Sequence, residues 1–124
     1  AWDEWYVWVP RDRFASLVRR SGEIGREQQV RIGAFGQAGD GNLHSDVGRD
    51  DLEEAAWKRA VAAVMDALYA AAREMGGAVS GEHGIGHAKR GYLLQSLGER
   101  QLELMRGIKK VFDPNGILNP GKVV

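Results

Sequence analysis

The chain has 124 residues, 44% of them hydrophobic, and its 17 Lys and Arg balance 17 Asp and Glu to a formal charge of zero. This composition supports one packed domain or part of a larger one, and the charge balance removes the usual electrostatic argument for nucleic acid or an anionic membrane as partner. Disulfides, thiolate metal sites and cysteine nucleophiles are excluded because there is no cysteine, and no apolar run reaches the roughly 18 residues of a membrane-spanning helix.

The chain opens on Ala1-Trp-Asp-Glu-Trp-Tyr-Val-Trp8, which lacks the charged-then-apolar order of a signal peptide and is expected to lie inside a longer protein. The β-branched and aromatic run Trp5–Val9, stopped by Pro10, predicts a strand. From Arg11 to Arg20 the apolar residues Phe14, Leu17 and Val18 give one-sided helical spacing, with Pro10 tolerated at the first turn. Ser21–Gln28, polar with two glycines, is expected to be a loop, and Gln29–Gly36 alternates Val30, Ile32 and Ala34 against polar and small residues as a second strand. These elements make β-α-β with short joints.

Gln37–Gly48 is dense in Gly, Asp, Asn and His, and predicts tight turns with at most a short strand near Leu43–Val47. Asp50-Asp-Leu-Glu53 has the form of a capping box. Behind it an amphipathic helix places Leu52, Ala55, Ala56, Ala60, Ala63, Val64, Ala67, Leu68, Ala71 and Met75 on one face, and Gly76-Gly77 ends it. The alanine content lets that face sit close against a sheet.

A second glycine-rich loop, Gly76–Gly91, holds Glu82, His83, His87, Lys89 and Arg90. Glu99–Phe112 predicts the last helix, with Leu102, Met105, Ile108 and Phe112 inward and Lys109-Lys110 at its negative end. Asp113-Pro-Asn-Gly116 suits a type I turn, and Ile117–Lys122 is extended and turn-rich. Trp2, Trp5, Trp8 and Trp57 are expected to fill core or interface, and His87 to be structural or solvated. Arg11 and Arg13 stand where an arginine anchoring a carboxylate could lie, although no motif places one there.

Neither glycine loop is a phosphate cradle. Gly84-Ile-Gly86 lacks the third glycine of a dinucleotide fingerprint, and no Gly-Lys-Ser/Thr occurs. The loops share isolated ligating side chains among residues that permit close backbone approach: His44 in the first, Glu82 and His83 in the second. One carboxylate and two imidazoles can bind a divalent metal or supply a general base. The residues alone leave both roles open, together with a metal-dependent hydrolase, which no oxyanion partner or metalloprotease spacing supports.

Phe35-Gly-Gln-Ala-Gly-Asp-Gly-Asn-Leu-His44, Ser80-Gly-Glu-His-Gly-Ile-Gly86 and Phe112-Asp-Pro-Asn-Gly-Ile-Leu-Asn-Pro-Gly-Lys122 together resemble, in order, the FAD-linked oxidase C-terminal domain. That family includes the flavin subunit of glycolate oxidase, D-lactate dehydrogenases and D-2-hydroxyglutarate dehydrogenase, within the vanillyl-alcohol-oxidase fold group. The resemblance implies an α+β fold: a partial ferredoxin-like cap, or substrate, domain with an antiparallel sheet and packed helices, plus a C-terminal helical segment. Residues 1–75 would be the remainder of the cap, and 76–124 the active-site loop, helix and flavin-facing tail. The FAD-binding domain would lie outside these residues, and the isolated piece is expected to bind FAD weakly and to expose sheet edges that need a partner.

The resemblance further implies that His44 and Glu82 ligate a divalent metal such as zinc and that His83 removes the substrate hydroxyl proton. It also implies that Asn119 faces the flavin, with Gly81 and Gly84 beside the cofactor and His44, Asn42 and Lys89 contacting substrate. The implied reaction is FAD-dependent dehydrogenation of a small D-2-hydroxy acid. Implied partners are the FAD-binding domain and electron-transfer subunits or a second copy, in the cytoplasm or peripheral at the inner membrane. One position departs from the pattern: Gln37 stands where the family has histidine. An amide oxygen suits a hard cation and replaces imidazole poorly at zinc, so the expected metal affinity is weakened, or Gln37 bonds substrate in a metal-free site. The alternative is a degenerate, non-catalytic assembly module of the same family.

Overall fold

Alternating residues along Trp2–Trp8 form strand β1 of the computed structural model, which describes residues 2–124 except for the side chains of Trp2 and Asp3. The chain divides into two units, Ala1–His83 and Gly84–Val124. The first holds β1, a 3₁₀ turn at Arg11–Arg13, helix α1 (Phe14–Glu27), strands β2 (Ile32–Gln37) and β3 (Asn42–Gly48), and helix α2 (Glu54–Glu74). The strand order is β1-β3-β2, antiparallel throughout. β1 and β2 therefore run parallel with β3 between them, the split β-α-β of a ferredoxin-like unit. A bridge from Ala78 to Trp8 supplies the fourth, outer position of that order (Trp8 N to Ala78 O 3.0 Å, Ala78 N to Trp8 O 2.8 Å).

Helices cover one face of the sheet. α1 packs on α2, β2 and β3, and α2 packs on β1. Val7 and Val9 of the first strand segment and Leu43 and Val47 of β3 meet Leu17 and Ile24 of α1 and Val64, Met65 and Leu68 of α2, each at most 1% exposed. Strand alternation sends the intervening residues to the opposite face, away from α1 and α2.

Several local expectations change. Ser21–Gln28 is not a loop: α1 continues to Glu27, because Ile24 extends the buried stripe of Leu17 and Ser21 by another turn. Arg20 reaches Glu23 and Glu27 along the same helix (3.2 and 2.7 Å). The second strand starts at Ile32, after Gln29 adopts a positive φ and Val30 N returns to Gly25 O. The glycine-rich segment holds the central strand rather than a short one. Asp50 does not cap α2; it takes a positive φ and pairs with Arg31, and Glu53 occupies the N-cap without a side-chain cap. The buried face of α2 runs through Val61, Val64, Met65, Leu68, Tyr69, Ala71 and Ala72. It is rotated from the alanine face expected, since Ala55 is exposed and the larger Met65 and Tyr69 turn inward.

The second unit contains α3 (Arg90–Ser96), a short helix with no sequence signal, and α4 (Glu99–Phe112), whose bounds match expectation. Leu102 is buried, whereas Ile108 and Phe112 are 62% and 78% exposed and do not point into a core of this chain. Asp113 fastens the tail: its carboxylate accepts from Lys109 Nζ (2.8 Å), Ile117 N (2.9 Å) and Leu118 N (3.0 Å), and Lys109 also donates to Leu118 O. These bonds hold the Asp113 carboxyl below the usual range, with the Lys109 contact foremost. No helix among the described residues is long and apolar enough to cross a membrane.

Leu68 is fully buried between helix and sheet. Leu68→Ala is expected to cost about 2–5 kcal/mol, read as a lower urea midpoint by circular dichroism of the full-length protein, while Ala62→Ser on the exposed side of α2 should change it by a few tenths of a kcal/mol.

Candidate functional site

The register sets two rows across the face opposite α1 and α2: Tyr6, His44 and Phe35, then Trp8, Asn42 and Gln37. His44 stands at the centre of the first. Phe35 stacks on its imidazole (ring centroids 4.8 Å, planes 18° apart), and Tyr6 meets it edge-on at 5.1 Å. Although α1 and α2 lie on the other face, these neighbours and the Glu82-His83 loop leave His44 only 6% exposed.

Both imidazole nitrogens face carboxylates. His44 Nδ1 lies 3.0 Å from Glu4 Oε1, and Nε2 lies 3.0 Å from Glu82 Oε1. Asn42 Nδ2 donates to the same Glu82 oxygen at 2.6 Å and to Gln37 Oε1 at 3.3 Å. Asn42 Oδ1 is buried without a hydrogen-bond partner among the described residues, an acceptor able to serve a bound group. His83 remains half exposed, with Nε2 3.5 Å from Glu82 Oε1 and its ring 3.8 Å from that of Tyr6. Burial, then the charges of Glu4 and Glu82, push the Tyr6 phenol above its ordinary value, so it stays protonated at neutral pH.

Glycine shapes this corner at two points. Gly41 closes the β2–β3 hairpin at φ +76°, where a Cβ would strike the Val9 carbonyl oxygen. At Gly81 a Cβ would sit 2.7 Å from Asn42 Oδ1, so only glycine lets the loop lie against Asn42 undisturbed. An open recess of about 400 Å³ results, lined by Trp8, Gln37, Asp40, Asn42, Gly81 and Glu82. Trp8 is part of this wall rather than core filler, held by its indole N–H to Asp40 O (2.7 Å). Trp5 and Trp57 are partly buried, and the Trp2 side chain lies outside the described residues.

The first unit thus gathers His44, Glu82, His83, Asn42, Gln37 and Gly81 from separate segments. Ligating atoms of His44, Glu82 and His83 all lie within 4.8 Å of one another, and this donor set suits a divalent cation. Gln37 joins through Asn42. Gly84, Lys89 and Asn119 belong to the second unit. There Asn119 has a positive φ, and the tail returns to the loop through Val123 N to Gly86 O (2.9 Å). His87 sits on the same junction, its Nδ1 3.3 Å from Gly121 O. Sequence reasoning missed Glu4, Tyr6 and Phe35 as neighbours of His44; their even spacing from Trp8 and Gln37 on the strands was the available signal.

The family described as FAD linked oxidases, C-terminal domain, matches residues 7–123. The chain is 50% identical over 121 residues to a D-lactate dehydrogenase of Anaerostipes hadrus, covering 98% of this chain and 26% of that protein. It is 37% identical over 115 residues to glycolate oxidase subunit GlcD of Bacillus subtilis (93% and 24%). With a D-2-hydroxyglutarate dehydrogenase of Stutzerimonas stutzeri it shares 40% identity over 90 residues (72% and 19%). The chain spans about a quarter of the length of the first two relatives.

Lys89 carries a testable consequence. Burial pushes its ammonium down from the ordinary 10.5 to about 8. The unfolded chain therefore binds more protons between those values, and folding stability rises as pH climbs through that interval. Urea midpoints of the full-length protein should increase between pH 8 and 10.5, and this component of the increase should vanish in Lys89→Met.

Proposed function

The chain belongs to the FAD-linked oxidase C-terminal domain family, and from that premise we propose that the full protein dehydrogenates a small D-2-hydroxy acid to the 2-oxo acid. The observation that carries this reading is the half-exposed His83 imidazole beside the pair formed by buried His44 and half-exposed Glu82 on the open sheet face. His83 accepts the hydroxyl proton, and the hydride from C2, which together with that proton accounts for the oxidation, would go to FAD when it is bound. Glu82, fixed by Asn42, stands beside His83 and favours the imidazolium that results. Asn42 and Gln37 present amide groups to the substrate from the recess wall. Asn119 is the flavin-facing residue in this reading, and Gly81 and Gly84 leave room for the cofactor.

His44 and Glu82 would hold a divalent cation such as zinc. FAD and the cation, when bound, supply the hydride acceptor and the charge that acidifies the substrate hydroxyl. Names of relatives that act on D-lactate and D-2-hydroxyglutarate support the substrate class. Gln37 favours a second reading, a non-catalytic assembly module, because its amide exposes no imidazole to complete the ligand set.

Anaerobic mixing of the full-length, flavin-loaded protein with D-lactate, glycolate or D-2-hydroxyglutarate separates the two readings. The proposal expects one of them to bleach the flavin, and His83→Ala to slow bleaching at least 100-fold while FAD stays bound. No bleaching by any of the three favours the assembly module, and bleaching at the normal rate in His83→Ala removes His83 as the base. In the same protein, Gln37→His should raise zinc occupancy measured by elemental analysis; tight stoichiometric zinc in the unaltered protein would contradict a weakened site.

A further inference from the structure

We propose that Glu4 is a positioning residue for His44, acting through the imidazole tautomer. The inference rests on His44 being a ligand in the function proposed above. A neutral imidazole has one N–H, and the two carboxylates compete for it. The ligand reading decides between them: Nε2, the nitrogen on the side of Glu82 and His83, offers its lone pair to the cation, whereas both amide hydrogens of Asn42 are taken by Glu82 and Gln37. Nδ1 then carries the proton and donates it to Glu4 Oε1 at 3.0 Å.

This assignment leaves the Nε2 lone pair facing Glu82 Oε1 at 3.0 Å. Two acceptors at hydrogen-bond distance repel unless positive charge sits between them, and a divalent cation held by His44 and Glu82 would supply it. Carboxylate on one ring nitrogen and cation on the other is the arrangement that fixes ring orientation and raises ligand basicity in metal sites. Phe35 and Tyr6 block rotation of the ring out of this plane. Glu4 therefore strengthens His44 as a ligand at the site where Gln37 weakens the set. Glu4 sits on β1 at an even spacing from Tyr6 and Trp8, on the face that carries His44, and its side chain is 49% exposed, so substitution there leaves the fold intact.

Zinc affinity of the full-length protein, measured by competition with a chromophoric chelator, tests this. Glu4→Ala is expected to weaken binding about 10- to 100-fold. Glu4→Gln, which keeps a neutral acceptor, should lose less, and the melting temperature without metal should be the same in all three proteins. Affinity of Glu4→Ala within twofold of the unaltered protein overturns the assignment, as does a loss matched by a lower metal-free melting temperature. His44→Ala separates the two levels. If it abolishes zinc binding while Glu4→Ala does not weaken it, only Glu4 is misassigned. If His44→Ala binds zinc normally, or the unaltered protein binds none, the ligand reading fails as well.

Discussion

Pairing of β3 between β1 and β2, with Tyr6 and Phe35 opposite His44, is the constraint that organises the site. A slip of one residue would turn His44 and Asn42 into the helix layer and bring Leu43 and Val47 to the open face. Burial of Val7, Leu43 and Val47 against α1 and α2 opposes that slip, since each side chain contributes on the order of 1.5–3 kcal/mol. Apolar packing on one face thus fixes polar chemistry on the other. The Gly41 hairpin and the Trp8–Ala78 bridge then bring Glu82 and His83 over the same face.

Within that frame the site concentrates negative charge around an imidazole. Glu4 and Glu82 flank His44, and Asn42 steadies Glu82 with a 2.6 Å hydrogen bond while its own buried oxygen has no partner among the described residues. The two carboxylates stay half exposed, so the cost falls on the buried Asn42 oxygen, and in the function proposed above a bound donor or cation would offset it.

Much of this was legible in sequence, for identifiable reasons. The helix bounds of Glu99–Phe112 followed from spacing, and Glu82, His83 and His44 stood out as ligating residues among glycines. Other features needed tertiary information. Ser21–Glu27 reads as polar, yet Ile24 alone commits it to helix by continuing the stripe from Leu17. Asp50 has the form of a cap but is drawn away by Arg31 on a neighbouring segment. Glu4 carries no motif at all; its relation to His44, 40 residues away, exists only once register is set. Ile108 and Phe112 follow the inward spacing of α4 and are nevertheless exposed in this chain.

The central claim is that His44, Glu82 and His83 work as one unit created by the sheet register. Its most direct test is the rate of anaerobic flavin reduction by a bleaching substrate in full-length His44→Ala, Glu82→Ala and the double variant. Residues that act as a unit give strongly non-additive effects, so the double variant should be scarcely slower than the worse single one. Losses that multiply, with the double variant slower by the product of the two, would contradict the account.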